Sequence, residues 1–170
     1  MRSEILLNRP PFPSITFSST KKEKFYKIKR MNAACIPFPE RIPAARRLGI
    51  LVVDDDPAVA ATVKMVLRRL GHSVDVLHDA DDAVARIAMF PRLYDILVTD
   101  HCMYNSTGLE LLARLASTGF RGGVIVLSAY IGEETQAEYL AMGAGMILQK
   151  PFEINELRHA VEAFMPLVAA

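Results

Sequence analysis

Only two cysteines, no tryptophan and no long hydrophobic run occur among the 170 residues. Two thiols, Cys35 and Cys102, exclude a disulfide framework and a four-cysteine zinc site. A reduced, cytoplasmic protein is therefore the expectation. The longest purely aliphatic run, Ile50 to Val53, falls far short of the ~20 apolar residues that span a bilayer. No secretory leader is expected either, because Ile5-Leu6-Leu7 is too short for one and no cleavage site follows. At 51% hydrophobic and 23% charged, the composition excludes a wholly disordered or collagen-like chain.

The net charge of +1 hides a division. Residues 1–48 hold 11 basic and 3 acidic residues, and the remainder holds 9 and 16. Six of the ten prolines also precede residue 49. A break of this kind separates a tail from a domain. Residues 1–47 read as a basic, proline-rich tail expected to be disordered, and 48–170 as the domain. The run Lys21 to Arg30 would suit nucleic acid or an anionic membrane, but a solvated segment is the plainer reading. Met31 is an alternative first residue.

From residue 49 strands and helices alternate. Gly49–Val53 is a strand apolar on both faces. Pro57 opens a helix capped by Asp55 or Asp56, with Val59, Val63, Val66, Leu67 and Leu70 inward, and Gly71 ends it. A short strand at Ser73–Leu77 leads to a helix opened by Asp79, facing in through Ala80, Ala83, Val84, Ile87 and Ala88. Asp95–Thr99 is a second buried strand. It precedes a helix over Gly108–Ala116 with Leu109, Leu112 and Leu115 inward. Val124–Leu127 is a strand, and Glu133–Met142 a weaker helix facing in through Ala137, Leu140 and Ala141. Met146–Leu148 is the last strand, and Ile154, Leu157, Val161 and Phe164 line the last helix. This alternation implies an α/β, doubly wound, five-stranded parallel sheet, with its functional crevice at the C-terminal strand ends.

Those ends carry the chemistry. Strand one ends in Asp54-Asp55-Asp56, strand three in Asp100, strand four in Ser128-Ala129 and strand five in Lys150-Pro151. Neighbouring strands lie ~4.8 Å apart, so the carboxylates of strands one and three converge. Two such charges about 5 Å apart repel by roughly 3 kcal/mol at an effective dielectric of 20. The cluster needs a proton or a hard divalent cation, and Mg²⁺ suits a site with few protein ligands better than Ca²⁺. A cation, the Lys150 ammonium and the Ser128 hydroxyl together can receive a phosphoryl group on the carboxylate of Asp100. Helix capping alone would need one acid, not three plus Asp100. His72, His78, His101 and His159 share no metal spacing and read as surface or cap residues. Cys102, beside an acid that disfavours its thiolate, reads as a packing residue.

The motifs Leu51-Val-Val-Asp54-Asp55-Asp56-Pro57, Asp100-x-x-Met103 with Gly108, Ser128-Ala129 and Lys150-Pro151-Phe152 occur in that order. Together they resemble the receiver domain of bacterial two-component response regulators, over residues 48 to about 166. The resemblance implies a flavodoxin-like (βα)5 fold with strand order 2-1-3-4-5. It implies Asp100 as phosphoacceptor and Asp54 and Asp55 as the Mg²⁺ acids, Asp55 ligating directly. The backbone carbonyl of Cys102 would complete the coordination. Ser128 would be the switch hydroxyl and Lys150 the phosphate-binding lysine, with a cis Lys150–Pro151 bond. The donor would be a sensor histidine kinase or a histidine phosphotransfer protein. A downstream effector would read the face of helix four, strand five and helix five. Such a domain assists its own phosphorylation without being a turnover enzyme. No direct DNA binding is expected of it; output would pass through a partner or a phosphorelay, and homodimerisation is left open.

Two positions depart from the family pattern. Tyr104 stands where proline usually follows the methionine, and Ile147 stands at the aromatic switch position. Cys102 and Tyr130 occupy the positions that tune dephosphorylation, and neither orients an attacking water, so a long-lived phosphoryl group is expected. The alternatives are a receiver-like interaction module that is never phosphorylated, and a flavin-binding module of the same fold. Three carboxylates beside strand one would repel a flavin phosphate.

Overall fold

Gly49–Val53 (β1) carries apolar side chains on both faces because both faces are covered. Leu51 and Val53 enter one core, and Ile50 and Val52 enter the other. The computed structural model describes residues 47–165, preceded by the backbone of two short strands, Phe17–Ser18 and Lys27–Ile28, which pair antiparallel. The expected tail and its disorder otherwise lie outside the described residues. Leu48, at the start of the proposed domain, is fully buried.

After β1 come α1 (Pro57–Arg69), β2 (Ser73–Leu77), α2 (Ala80–Met89), β3 (Ile96–Asp100), α3 (Gly108–Leu115), β4 (Gly123–Ser128), α4 (Glu133–Ala141), β5 (Met146–Gln149) and α5 (Ile154–Glu162). The five strands form one parallel sheet in the order β2-β1-β3-β4-β5. Every residue of the central strands β3 and β4 is buried, whereas the edge strand β2 alternates at its start. That contrast is why β3 and β4 read as continuous apolar runs and β2 as an alternating one. Helices α1 and α5 cover one face through Val63, Leu67, Leu157 and Val161. Helices α2, α3 and α4 cover the other through Ala83, Ile87, Leu111, Leu112 and Tyr139.

Local signals set the helix ends. Asp56 caps α1, accepting from the amides of Ala58 and Val59, with Pro57 behind it. Asp79 caps α2, and Thr107 with Glu110 forms a capping box on α3. Each cap is worth ~1 kcal/mol. Gly71 follows α1 at φ 93°, a left-handed turn that a side chain would strain. Among the described residues no helix is long and apolar enough to cross a membrane.

Three expected core faces differ. In α4 the buried residue is Tyr139, while Ala137 and Ala141 are exposed. Burying one tyrosine ring removes far more apolar area than burying two alanine methyls, so the helix turns to the ring. Ile154 is 62% exposed. It stands at the start of α5, between the exposed Glu153 and Asn155 and ahead of the stripe Leu157, Ala160, Val161, Phe164 that meets the sheet. Ala88 is exposed at the end of α2, one position past Ile87, which fills the core.

Candidate functional site

Strand register brings the acids together. Val53 of β1 lies opposite Thr99 of β3, so Asp54 leaves the sheet beside Asp100, the last residue of β3. Two strands along, Ser128 of β4 lies opposite Gln149 of β5, and Lys150 follows. Asp54, Asp55 and Asp100 each offer a carboxylate oxygen within 4.8 Å of the others. Lys150 bridges two of them, its Nζ lying 3.1 Å from Asp54 Oδ2 and 2.8 Å from Asp100 Oδ1. The three acids and the lysine thus share one pocket.

Asp54 is the most enclosed member, at 1% exposure. Its Oδ1 accepts the Asp56 amide at 3.0 Å. Burial pushes its carboxyl above the ordinary range, although the Asp56 amide and the Lys150 charge pull the other way. Burial also opposes the charge on Lys150. Its hydrogen bond to Asp100 and the negative charges of Asp54 and Asp100 outweigh that, and its net shift is upward. The lysine is therefore a held cation. Asp55, nearer the surface, accepts the Tyr104 backbone amide on Oδ2 at 2.7 Å. A cluster of oxygen donors with one lysine and a surplus of negative charge suits a hard divalent cation.

The family model for the response regulator receiver domain matches residues 50–162. The chain belongs to the response regulator receiver domain family. It is 37% identical over 118 residues to the response regulator MprA of Mycobacterium avium, covering 69% of this chain and 51% of that protein. Identity to the transcriptional regulatory protein DltR of Streptococcus agalactiae is 32% over 110 residues, covering 65% and 48%. Among solved structures, the receiver domain of the Francisella response regulator 1452 matches with a TM-score of 0.65 at 30% identity, over 72% of this chain and 99% of that one. The chain thus spans about half the length of these curated relatives, and 14% of the gliding motility regulatory protein of Myxococcus xanthus. A receiver is a signalling domain of two-component systems and not a turnover enzyme, and the match sets the flavin alternative aside.

Not every expected site residue of this receiver joins the cluster. Ser128 is 3% exposed, and its hydroxyl donates to the Tyr130 carbonyl at 2.9 Å. The amide of Lys150 donates to the Ser128 carbonyl, and the Lys150–Pro151 peptide is cis. Asp56 is taken up by capping α1. Cys102 is exposed, which corrects the packing assignment. It sits in a two-residue hairpin, Cys102–Met103 paired with Ser106–Thr107, that lifts it clear of both cores. His72 is buried, not at the surface, with Nδ1 within 3.4 Å of the Leu48 amide at the bottom of the sheet.

Two features escape a reading by side-chain type. One is the Tyr104 amide on Asp55. The other is His101, directly after Asp100, whose Nδ1 lies 2.9 Å from the buried Tyr139 hydroxyl. Gly108 makes room for this pair, since a Cβ there would lie 2.6 Å from the Asp100 carbonyl oxygen and 2.7 Å from that hydroxyl. The tyrosine at position 139 of α4 is the one sequence signal that could have pointed to it.

Proposed function

We propose that this receiver takes a phosphoryl group from a phosphohistidine, on a sensor kinase or a histidine phosphotransfer protein, onto Asp100. Mg²⁺ would be held by Asp54, Asp55, Asp100 and the backbone carbonyl of Cys102. The carboxylate oxygens of the three acids already lie within 4.8 Å of one another, the kind of oxygen-donor grouping a hard divalent cation takes. Bound there, Mg²⁺ would neutralise charge on the phosphoryl oxygens during transfer.

The chain's own groups do the rest. A carboxylate oxygen of Asp100 attacks phosphorus as the donor's P–N bond breaks, and the imidazole leaves with its electron pair and takes up a proton. Lys150, now shared between Asp54 and Asp100, turns one N–H to a phosphoryl oxygen. Ser128 exchanges the Tyr130 carbonyl for another phosphoryl oxygen. That exchange pulls the β4–α4 loop inward and shifts the face of α4, β5 and α5, which an effector protein reads. Neither Cys102 nor Tyr130 activates a water, so the phosphoryl group is long-lived.

The bridging of Asp54 and Asp100 by Lys150, with Asp55 in the same cluster, carries this reading. Incubation with Mg²⁺ and acetyl phosphate followed by intact mass tests it. One added phosphoryl group is expected, lost in Asp100→Asn and in Asp55→Ala. Unchanged labelling of Asp100→Asn would place the acceptor elsewhere.

A further inference from the structure

Tyr104 is 90% exposed, so its ring contributes nothing to the core. Its backbone does something else. The Tyr104 amide donates to Asp55 Oδ2 at 2.7 Å, joining residues 49 positions apart across the mouth of the site. The hairpin register pairs Cys102 with Thr107 and Met103 with Ser106, so the ladder does not claim this amide. Lys150 fixes Asp54 and Asp100. Asp55 is fixed instead by Tyr104. An amide donating to a carboxylate makes a charge-assisted bond that selects one rotamer of an otherwise mobile surface acid. A proline at 104, the usual residue of the resemblance drawn above, has no N–H to give.

We infer that the Tyr104 backbone amide is a positioning group that presets Asp55 for the divalent cation. This deepens the reading of the site as a Mg²⁺-dependent phosphoacceptor and rests on it. The side chain at 104 is immaterial; the N–H is what counts. Partners that orient metal ligands in this way typically contribute 10–100-fold in metal affinity.

The experiment titrates Mg²⁺ into the full chain and two variants by calorimetry. Tyr104→Ala keeps the N–H and Tyr104→Pro removes it; extended Met103 has the backbone that a residue before proline favours. Wild type and Tyr104→Ala should bind alike. Tyr104→Pro should bind about tenfold more weakly, yet label with acetyl phosphate at the wild-type rate once Mg²⁺ saturates it. Equal or tighter binding by Tyr104→Pro overturns the inference, as does an equal loss in Tyr104→Ala. Wild type that binds no Mg²⁺ overturns the reading of the site itself, a result distinct from three proteins that bind equally. If Tyr104→Pro fails to fold, the Tyr104 amide resonance decides the matter. It should move in Asp55→Asn and on addition of Mg²⁺ to wild type, and a resonance indifferent to both refutes the inference.

Discussion

Lys150→Met is the sharpest test of the electrostatics. The ammonium lies 2.8 Å from Asp100 and 3.1 Å from Asp54, attractions of about 5–6 kcal/mol each at an effective dielectric of 20. Desolvating the lysine offsets much of that gain. What remains is set by the carboxylates left behind, which repel by about 3 kcal/mol at the 4.8 Å limit of their separation. Removing one partner of a buried pair typically costs 3–5 kcal/mol. Lys150 keeps 24% of its side-chain exposure, which points to the lower end, about 3 kcal/mol. For a domain of this size that is roughly 10–12 °C in Tm. The assay is urea unfolding with chelator at pH 7. Asp54→Asn added to Lys150→Met should recover on the order of 2 kcal/mol that it does not recover in wild type. Without the lysine the Asp54 carboxyl, already raised by burial, loses a charge that pulls it down. A raised carboxyl gives stability that is present at low pH and lost as pH rises through the folded value. The variant should therefore gain more stability than wild type between pH 7 and pH 5. A loss below about 1 kcal/mol, or additivity within ~0.5 kcal/mol in the double variant, would refute the argument.

Gly108→Ala should destabilise by about 3 kcal/mol, the upper end for an added methyl, because one clash is with a backbone carbonyl that cannot rotate away; unchanged urea midpoints would contradict it. Tyr139→Phe keeps the ring and should lose about 1 kcal/mol for the bond to His101, read by the same unfolding assay. Burial holds His72 below its ordinary value, so its contribution is present above about pH 6.5 and lost as pH falls below it. His72→Gln should flatten the decline in stability between pH 7 and pH 5, and an unchanged slope would count against it.

The fold was legible because the strongest patterns lie where the structure is most enclosed. β1, β3 and β4 are buried on both faces, and their apolar runs stop at polar residues that belong to the site. Asp54, Asp55, Asp100 and Lys150 could be named because each lies at or within two residues of the C-terminal end of a strand. Features made by backbone groups or by competition were not legible. An amide from Tyr104 leaves no mark in a side-chain pattern. The face of α4 was decided by one ring against two methyls, and spacing alone weighs those equally. Cys102 is exposed because a two-residue hairpin carries it outward, and no periodicity signals a hairpin that short.

The His101–Tyr139 pair bears on how a change at Asp100 can reach α4. The tyrosine is wholly buried and its hydroxyl is tied to His101, the residue that follows Asp100. Withdrawing the ring would forfeit about 2–3 kcal/mol of apolar burial and ~1 kcal/mol of hydrogen bond. A Ser128 hydroxyl that leaves the Tyr130 carbonyl for a phosphoryl oxygen gains about 1.5–3 kcal/mol before the bond it gives up is subtracted. Extraction of Tyr139 is therefore the losing route. With Ile147 on β5 and no aromatic ring there to exchange, the proposed displacement of the α4, β5 and α5 face would pivot about the anchored ring. On the proposed phosphorylation the loop between Ser128 and Glu133 would move while the last turn of α4 stays with β3.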